Sequence, residues 1–344
     1  MECRSRANVS PFPLDTSEGS QERQKEARVN SQFANVLLHI GYHKTGSTYL
    51  QDCFFQPVNG FSTDIGVTRT GIVRDFVFPD NFLFDSERMR GRYMPFIESA
   101  ELRGLRFVLS HERLSGYPPS GGYDRLLIAH RLQATFPGAR VLIIIREQIS
   151  LIRSLYSQYI TDGGDLTLAG FLDTPEPQLG RMPGFRLEVY EFDRLIAYYQ
   201  QLFGADRVLV LPFEGMLHDL PTFLQSITDF VQLPPAVSVP MIVTNRRRPV
   251  PMQMAQRLGN RFLSNNELSR GAWLAIPGFS RRFGALERVF QALTPAGLET
   301  ALYARLGARI REFAGDHYRK SNYRTSLLSG VDLQTYGYRV GREE

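Results

Sequence analysis

The chain has 344 residues, of which 43% are hydrophobic and 22% charged, and this composition is typical of a globular protein. Its apolar runs have the length of strands and fall well short of the about 18 residues that a membrane-spanning helix needs. The net charge of +5 favours anionic partners, but it does not choose among nucleic acid, membrane surfaces and acidic metabolites.

The cysteines and the N-terminus bear on the compartment. Two cysteines, Cys3 and Cys53, cannot build a disulfide framework, which favours a reducing environment. The N-terminus has mixed charges and no apolar segment of the kind found in secretory signals. We therefore expect a cytoplasmic protein without a transmembrane segment.

Residues 1–33 are polar, with scattered Pro, Ser, Glu and Arg, and they predict a disordered tail. From residue 34 onward, buried strands alternate with amphipathic helices. Strands are predicted at residues 34–40, 105–110, 139–146 and 206–213. Helices are predicted at residues 47–55, at 123–137, from the third strand through 159, and at 186–204.

Continuous apolar strands that alternate with helices predict an α/β fold, with a parallel sheet covered on both faces. In such sheets, ligands bind beyond the carboxyl ends of the strands. Loops 41–48, 110–116 and 146–154 should therefore lie on one rim. Residues 60–100 and 245–295 are predicted to be less regular.

The first rim loop has the form of an anion-binding loop. Gly41 and Gly46 stand five apart, as in the nucleotide signature G-x-x-x-x-G-K-[ST], but Ser47 occupies the position of its lysine. The nearby lysine is Lys44, one of three lysines among 40 basic residues. A glycine loop between strand and helix directs N–H groups at an anion, and the hydroxyls of Thr45, Ser47 and Thr48 would add donors. The alternative is a glycine turn without a ligand.

Two further positions on the rim carry chemistry. Arg146 ends the third strand and Ser154 follows eight residues later, so together they could hold a second phosphate. His111 and Glu112 follow the second strand, and either could be a general base. The alternatives are a surface ion pair for Arg146, a salt bridge to Arg113 for Glu112, and capping or packing for His111.

The sequence HKTGST after a buried strand, joined to Arg-x7-Ser after a later one, resembles the sulfotransferases that use 3'-phosphoadenosine 5'-phosphosulfate (PAPS). Their 5'-phosphosulfate loop reads roughly K-[ST]-G-[ST]-[ST], which residues 44–48 match, and their 3'-phosphate motif matches Arg146 and Ser154. The segment SNYRTSLLSGVDLQTYGY at residues 321–338 is similar to the C-terminus of bacterial members of the H-K-T-G type.

The resemblance implies a P-loop-NTPase-like three-layer sandwich, with a sulfotransferase domain at residues 34–338 and a C-terminal tail at 339–344. It implies that Lys44, Thr45, Gly46, Ser47 and Thr48 bind the 5'-phosphosulfate, that Lys44 is catalytic, and that no metal is required. PAPS would be the co-substrate and its 3',5'-bisphosphate the product. The base is His111 or Glu112, and similarity to the carbohydrate branch favours Glu112 and a sugar, glycan or glycolipid acceptor.

One family element is missing, and two rival functions remain. The segment NRRRP at 245–249 lies where cytosolic members have R-K-G, but it lacks the glycine, so that role is not carried over. A P-loop kinase should have lysine after Gly46 and an aspartate at a strand end for magnesium. A non-catalytic polyanion binder would use the arginine-rich residues 245–290, which are also a candidate surface for peripheral contact with anionic lipid. We expect no nucleic acid partner.

Overall fold

The computed structural model describes residues 32–64, 66, 69–173, 184–237, 248–266, 268, 273–274, 276 and 278–342. Nearly all of the predicted N-terminal tail lies outside these residues, as do residues 245–247 of the basic segment. In the described part of the chain, no helix is both long enough and apolar enough to cross a membrane.

Five parallel strands form one sheet in the order β2-β3-β1-β4-β5. They are β1 (Val36–His39), β2 (Phe61–Ser62), β3 (Arg106–Ser110), β4 (Arg140–Ile145) and β5 (Val208–Pro212). The central strand β1 pairs Leu38 with Leu109 of β3 on one side and with Val141 of β4 on the other. This register brings the carboxyl ends of β1, β3 and β4 to the same edge, which confirms the predicted rim.

Helices cover both faces of the sheet. The helices are α1 (Ser47–Tyr49, continued as a π-helical turn at Leu50–Phe54), α2 (Arg69–Phe76), α3 (Ser86–Leu102), α4 (Arg125–Thr135), α5 (Gln148–Thr161), α6 (Leu168–Leu172), α7 (Phe192–Phe203), α8 (Phe213–His218), α9 (Leu220–Phe230), α10 (Val250–Leu263), α11 (Phe279–Phe283), α12 (Glu287–Leu293), α13 (Ala296–Ala314) and α14 (Arg319–Ser329).

The core is split by the sheet into two layers. In β4, Val141, Ile143 and Ile145 point into one apolar cluster, whereas Leu142 and Ile144 point into the other. This alternation is what a strand buried on both faces requires. The predicted α/β class, a three-layer sandwich around a central parallel sheet, is confirmed.

Three predictions about local structure are wrong. The single helix predicted at 186–204 is a 3₁₀ turn at Leu187–Tyr190 followed by α7, because the chain leaves helical geometry at Glu191 (φ −75°, ψ 86°). Residues 60–100, predicted to be less regular, contain α2 and most of α3. Within 245–295, the described residues contain α10, α11 and α12.

Candidate active site

The loop between β1 and α1 has the backbone of an anion-binding loop. Lys44 (φ 65°) and Gly46 (φ 83°) both adopt the left-handed conformation. A Cβ at Gly46 would lie 3.0 Å from the Phe213 ring, so any other residue there would crowd that ring and also adopt a strained conformation. For Lys44, the conformation costs about 1–3 kcal/mol, and such strain clusters at ligand sites. Alternating helical and left-handed residues turn successive N–H groups towards one point, which suits an anion.

The three hydroxyls of this loop have different roles. Thr45 is fully buried, and its Oγ1 donates to the carbonyl of Tyr42 over 2.5 Å. The prediction that this hydroxyl donates to an anion is therefore corrected, although the Thr45 backbone N–H keeps that capacity. Ser47 Oγ is buried and has no partner among the described residues, and Thr48 is exposed. Ser47 thus presents a buried hydroxyl whose donor is unused among the described residues, and the Thr48 hydroxyl lies at the surface.

Lys44 reaches across to helix α5. Its Nζ donates to Oε1 of Gln158 over 2.5 Å, and Nε2 of Gln158 donates to Oδ1 of Asp162 over 2.6 Å. Burial lowers the pKa of Lys44, and Arg146 lowers it further, whereas Asp162 and Glu112 raise it. The ammonium group therefore lies within the electrostatic reach of Arg146 and Glu112, two of the other predicted site residues.

Arg146 is also tied to the loop. Its Nη1 donates to the backbone carbonyl of Lys44 over 2.8 Å, and its Nε donates to Ser150 Oγ over 3.0 Å. The guanidinium lies over the Phe213 ring at 4.9 Å from the centroid. The alternative of a surface ion pair is not what the structure shows, because Arg146 is held at the rim by a carbonyl, a hydroxyl and an aromatic face.

Ser154 occupies the middle of a polar row on α5. Ser150, Ser154 and Gln158 are spaced four residues apart, so they lie one above the other on one helix face. Arg146 contacts the first residue of this row and Lys44 contacts the last. The two predicted phosphate ligands and the loop lysine are therefore brought together along one helix.

Glu112 and His111 begin the 3₁₀ turn after β3. Nδ1 of His111 accepts the Arg113 N–H over 3.0 Å, which is a capping contact and occupies that nitrogen. Burial would raise the pKa of Glu112, but His111, a backbone hydrogen bond and the nearby His43 and His39 outweigh it, so its pKa lies below the usual value. Arg113 pairs with Asp124 at 2.5 Å, so the alternative of a salt bridge between Arg113 and Glu112 is not what the structure shows.

Two buried histidines lie near Glu112: His39 at the end of β1 and His43 in the loop that follows it. Burial lowers the pKa of His39 from 6.5 to about 4 and that of His43 from 6.5 to about 4, so both rings are neutral at physiological pH. Nδ1 of His43 is buried without a partner among the described residues. Sequence reasoning missed His43, although its place directly before Lys44 was a usable signal.

His39 belongs to a buried network that joins β1, β3 and α1. Its Nδ1 lies 2.7 Å from Ser110 Oγ, which also accepts from Gln51 Nε2 over 2.9 Å. The other ring nitrogen, Nε2, is buried without a partner among the described residues. A Cβ at Gly41 would lie 2.9 Å from that Nε2, so only glycine permits the close approach of the loop backbone. Arg69 donates to Oε1 of Gln51 over 3.0 Å and completes the network.

The C-terminal segment, residues 321–338, contacts the start of α5 and the residues next to the rim. Nε2 of Gln148 donates to Oδ1 of Asn322 over 2.6 Å, which fixes the start of α5. Tyr338 donates to Oε2 of Glu214, whose Oε1 accepts the Glu147 N–H, both over 3.0 Å. Residues 321–338 therefore anchor α5, the helix that carries Ser154.

Part of the arginine-rich stretch also lies close to the loop. Arg248 donates to Oε1 of Gln256 over 3.0 Å and lies 3.6 Å from a Glu287 carboxylate oxygen. Its charge contributes to lowering the Lys44 pKa. Arg261, Arg282 and Arg288 are exposed. Arg246, Arg247 and Arg270 lie outside the described residues.

The arrangement fits a nucleotide with phosphates at two positions. The left-handed loop, the unpartnered Ser47 hydroxyl and Lys44 suit one anionic group, and Arg146 with Ser154 suits a second. In the described residues, no group of three or more His, Cys, Asp or Glu is placed to hold a metal. The five parallel strands end in His39, Ser62, Ser110, Ile145 and Pro212, so none of these described strands ends in the aspartate of a kinase.

No protein-family model matches the chain, and no curated protein matches it. Among solved structures, the chain is similar to a sulfotransferase from Alicyclobacillus acidocaldarius, at 16% identity and a TM-score of 0.43, over 71% of this chain and 97% of that one. It is also similar to the sulfotransferase domain from the curacin biosynthetic pathway, at 12% identity and a TM-score of 0.36, over 80% of this chain and 96% of that one. These TM-scores are too low to decide an activity, so the function is argued from the residues of the site.

Proposed function

We propose that the chain is a sulfotransferase that moves a sulfuryl group from PAPS to a hydroxyl or amine of an acceptor, and that the acceptor is a carbohydrate or glycoconjugate. The observation that supports this best is the polar row of α5, with Arg146 at Ser150, Lys44 at Gln158 and Ser154 between them. A row with a cation at each end suits a ligand with separate 3'- and 5'-phosphate groups.

Each residue has a defined task in this proposal. The N–H groups of residues 45–48 and the Ser47 hydroxyl hold the 5'-phosphate, and Arg146 with Ser154 selects the 3'-phosphate. Lys44 neutralises the charge that develops on the leaving 5'-phosphate. Groups that are already oriented stabilise such charge without reorganisation. Positioning and electrostatics therefore supply the catalysis, and no metal is needed.

Glu112 is the proposed general base. It is ionised at neutral pH because its pKa lies below the usual value of a glutamate. As the sulfur–oxygen bond to the 5'-phosphate breaks, the acceptor forms a new bond to sulfur and its proton passes to Glu112. His111 is the less suitable base because its Nδ1 already accepts the Arg113 N–H. A glutamate base also favours a carbohydrate acceptor, because the sequence resembles the carbohydrate branch of the sulfotransferases, whose base is often a glutamate.

The proposal also covers the compartment of the enzyme, the surface that meets the acceptor and the bounds of the domain. We place the enzyme in the cytoplasm, with the exposed Arg261, Arg282 and Arg288 available for an acidic glycan or for peripheral contact with anionic lipid. The domain comprises residues 34–338, between tails at 1–33 and 339–344.

The test is a transfer assay with PAPS and a panel of sugars, glycans and glycolipids, in which both 3',5'-ADP and sulfated product are measured by mass spectrometry. Lys44→Ala should lower the rate by about 10²–10³, the usual cost of one preoriented group at developing charge. The control Lys320→Ala removes an exposed lysine of α14 and should leave the rate unchanged. A folded Lys44→Ala protein with near wild-type transfer would contradict the proposal.

A further inference from the structure

A groove of about 310 Å³ lies between α5, α6, α10 and α13, away from the loop site. Tyr156 and Ile160 form its wall on α5, whereas Ser154 and Gln158 belong to the polar row that faces Lys44. Residues two apart on a helix point about 200° apart. The groove therefore lies on the opposite side of α5 from the proposed donor site and is a separate site.

The floor of the groove is apolar. Ile160, Leu168, Leu302 and Leu306 contribute side chains from three different helices. On α10, Val250, Gln253, Met254 and Arg257 follow the i, i+3, i+4, i+7 spacing of a helix face that is normally covered by packing. On this face Val250 and Gln253 are buried, whereas Met254 is 52% exposed beside the groove. The volume is at the lower end of the range for small-molecule sites.

The rim of the groove is cationic. Arg257, Arg305 and Arg309 all line it, and Arg305 and Arg309 are neighbours on one face of α13. Among the described residues that line the groove, none carries a carboxylate. Arg257 donates to the carbonyl of Asp165 over 3.3 Å, so its guanidinium is held at this edge. Three guanidinium groups without a lining acid favour a negatively charged head group.

We propose that this groove binds a single-chain anionic amphiphile, with its alkyl chain on the apolar floor and its carboxylate or phosphate head group among Arg257, Arg305 and Arg309. Burial of the chain supplies the hydrophobic part of the affinity, and the guanidinium groups supply charge-assisted hydrogen bonds. A sugar or nucleotide would leave the floor without apolar partners. This site does not depend on sulfuryl transfer.

The test is calorimetric titration of the full chain with decanoate, decyl phosphate and decanol, all below the concentrations at which they form micelles. One molecule of the anionic ligands should bind per chain, and decanol should bind at least about tenfold more weakly because it lacks the charge-assisted bonds. Tighter binding of decyl phosphate would indicate a phosphate-headed lipid, and tighter binding of decanoate a fatty acid. Equal affinity for decanol, or no binding of any ligand, would overturn the proposal.

Matched variants separate the groove from the rest of the surface. The double variant Arg305→Glu/Arg309→Glu should weaken decanoate binding at least about tenfold, whereas Arg311→Glu on the same helix, outside the groove, should not. Met254→Glu should likewise weaken it, whereas Leu258→Glu should not, although both side chains are 52% exposed on α10. Equal losses in Leu258→Glu and Met254→Glu would overturn the proposal.

Discussion

Nζ of Lys44 donates a hydrogen bond to Oε1 of Gln158 over 2.5 Å, across more than a hundred positions of sequence. The Gln158 amide is in turn oriented by Asp162, one helical turn further on. Gln158 therefore holds the loop lysine against α5 by its carbonyl oxygen, which is neutral and leaves the charge of Lys44 available for an anion.

We expect Gln158→Glu to weaken binding of 3',5'-ADP by about tenfold or more, because a carboxylate at this place would neutralise Lys44 and compete with the nucleotide. Calorimetry measures the affinity. The matched control is Gln225→Glu on α9, where Gln225 makes the same contact with Asp229, four residues on, over 2.6 Å. Unchanged affinity in Gln158→Glu would show that the contact with Lys44 has no part in binding.

Ser154 should decide whether the 3'-phosphate is recognised. We expect Ser154→Ala to lower affinity for 3',5'-ADP about tenfold, the usual value of a hydrogen bond to a charged group, while affinity for ADP stays the same. The control Ser157→Ala makes the same substitution on α5 outside the polar row. If Ser154→Ala weakens both nucleotides equally, the serine supports the helix rather than the 3'-phosphate.

The choice of base can be tested by two substitutions. Glu112→Gln should lower the transfer rate by about 10²–10⁴, which is the usual contribution of a general base. His111→Asn keeps a side-chain acceptor suited to capping the turn, so its rate should fall less than about tenfold. In the wild type, the rate should stay level down to about pH 5, because the lowered pKa keeps Glu112 ionised. The reverse ranking of the two variants would assign the base to His111.

The strands and the rim positions of the site residues could be predicted from the sequence, whereas the contacts of individual side chains could not. The strands were predictable because β1, β3 and β4 are continuous apolar runs, and Lys44, Arg146 and Ser154 were predictable because their spacing from strand ends places them on the rim. The direction of the Thr45 hydroxyl and the contact with Gln158 were not, because both depend on how the loop folds onto its neighbours.

Tertiary contacts also explain the mistaken helix boundaries. Near the start of α7, Glu191 lies 3.1 Å from His317 Nε2, and Asp193 accepts from Arg324 at 2.6 Å. Both partners lie far along the chain from α7. In α3, Pro95 in the helix interior obscured the helix. The Asp85 side chain, which accepts from the N–H groups of Glu87 and Arg88, was the cap signal that could have revealed it.

The buried His39 should make stability depend on pH. Its pKa is about 4 in the folded chain and 6.5 when unfolded, so between these values only the unfolded chain binds the proton. The contribution of neutral His39 to the free energy of unfolding is complete above the unfolded pKa and decreases as the pH falls. From pH 7 to pH 5 it decreases by about 2 kcal/mol. Urea unfolding at both pH values should show this part of the loss in the wild type and not in His39→Asn. The exposed His218→Asn should behave as the wild type, and identical losses in His39→Asn would refute the assignment.

The central claim is that the rim holds a nucleotide by its 3'- and 5'-phosphates, and one calorimetric experiment tests it without knowledge of the acceptor. The wild-type protein is titrated with 3',5'-ADP, with ADP, and with ATP plus magnesium, and Arg146→Ala is titrated in parallel. We predict micromolar binding of 3',5'-ADP, at least about tenfold weaker binding of ADP, and loss of that preference in Arg146→Ala. Preference for ATP with magnesium would instead indicate a phosphotransferase, and absence of nucleotide binding with steeply salt-dependent polyanion binding would indicate a non-catalytic binder.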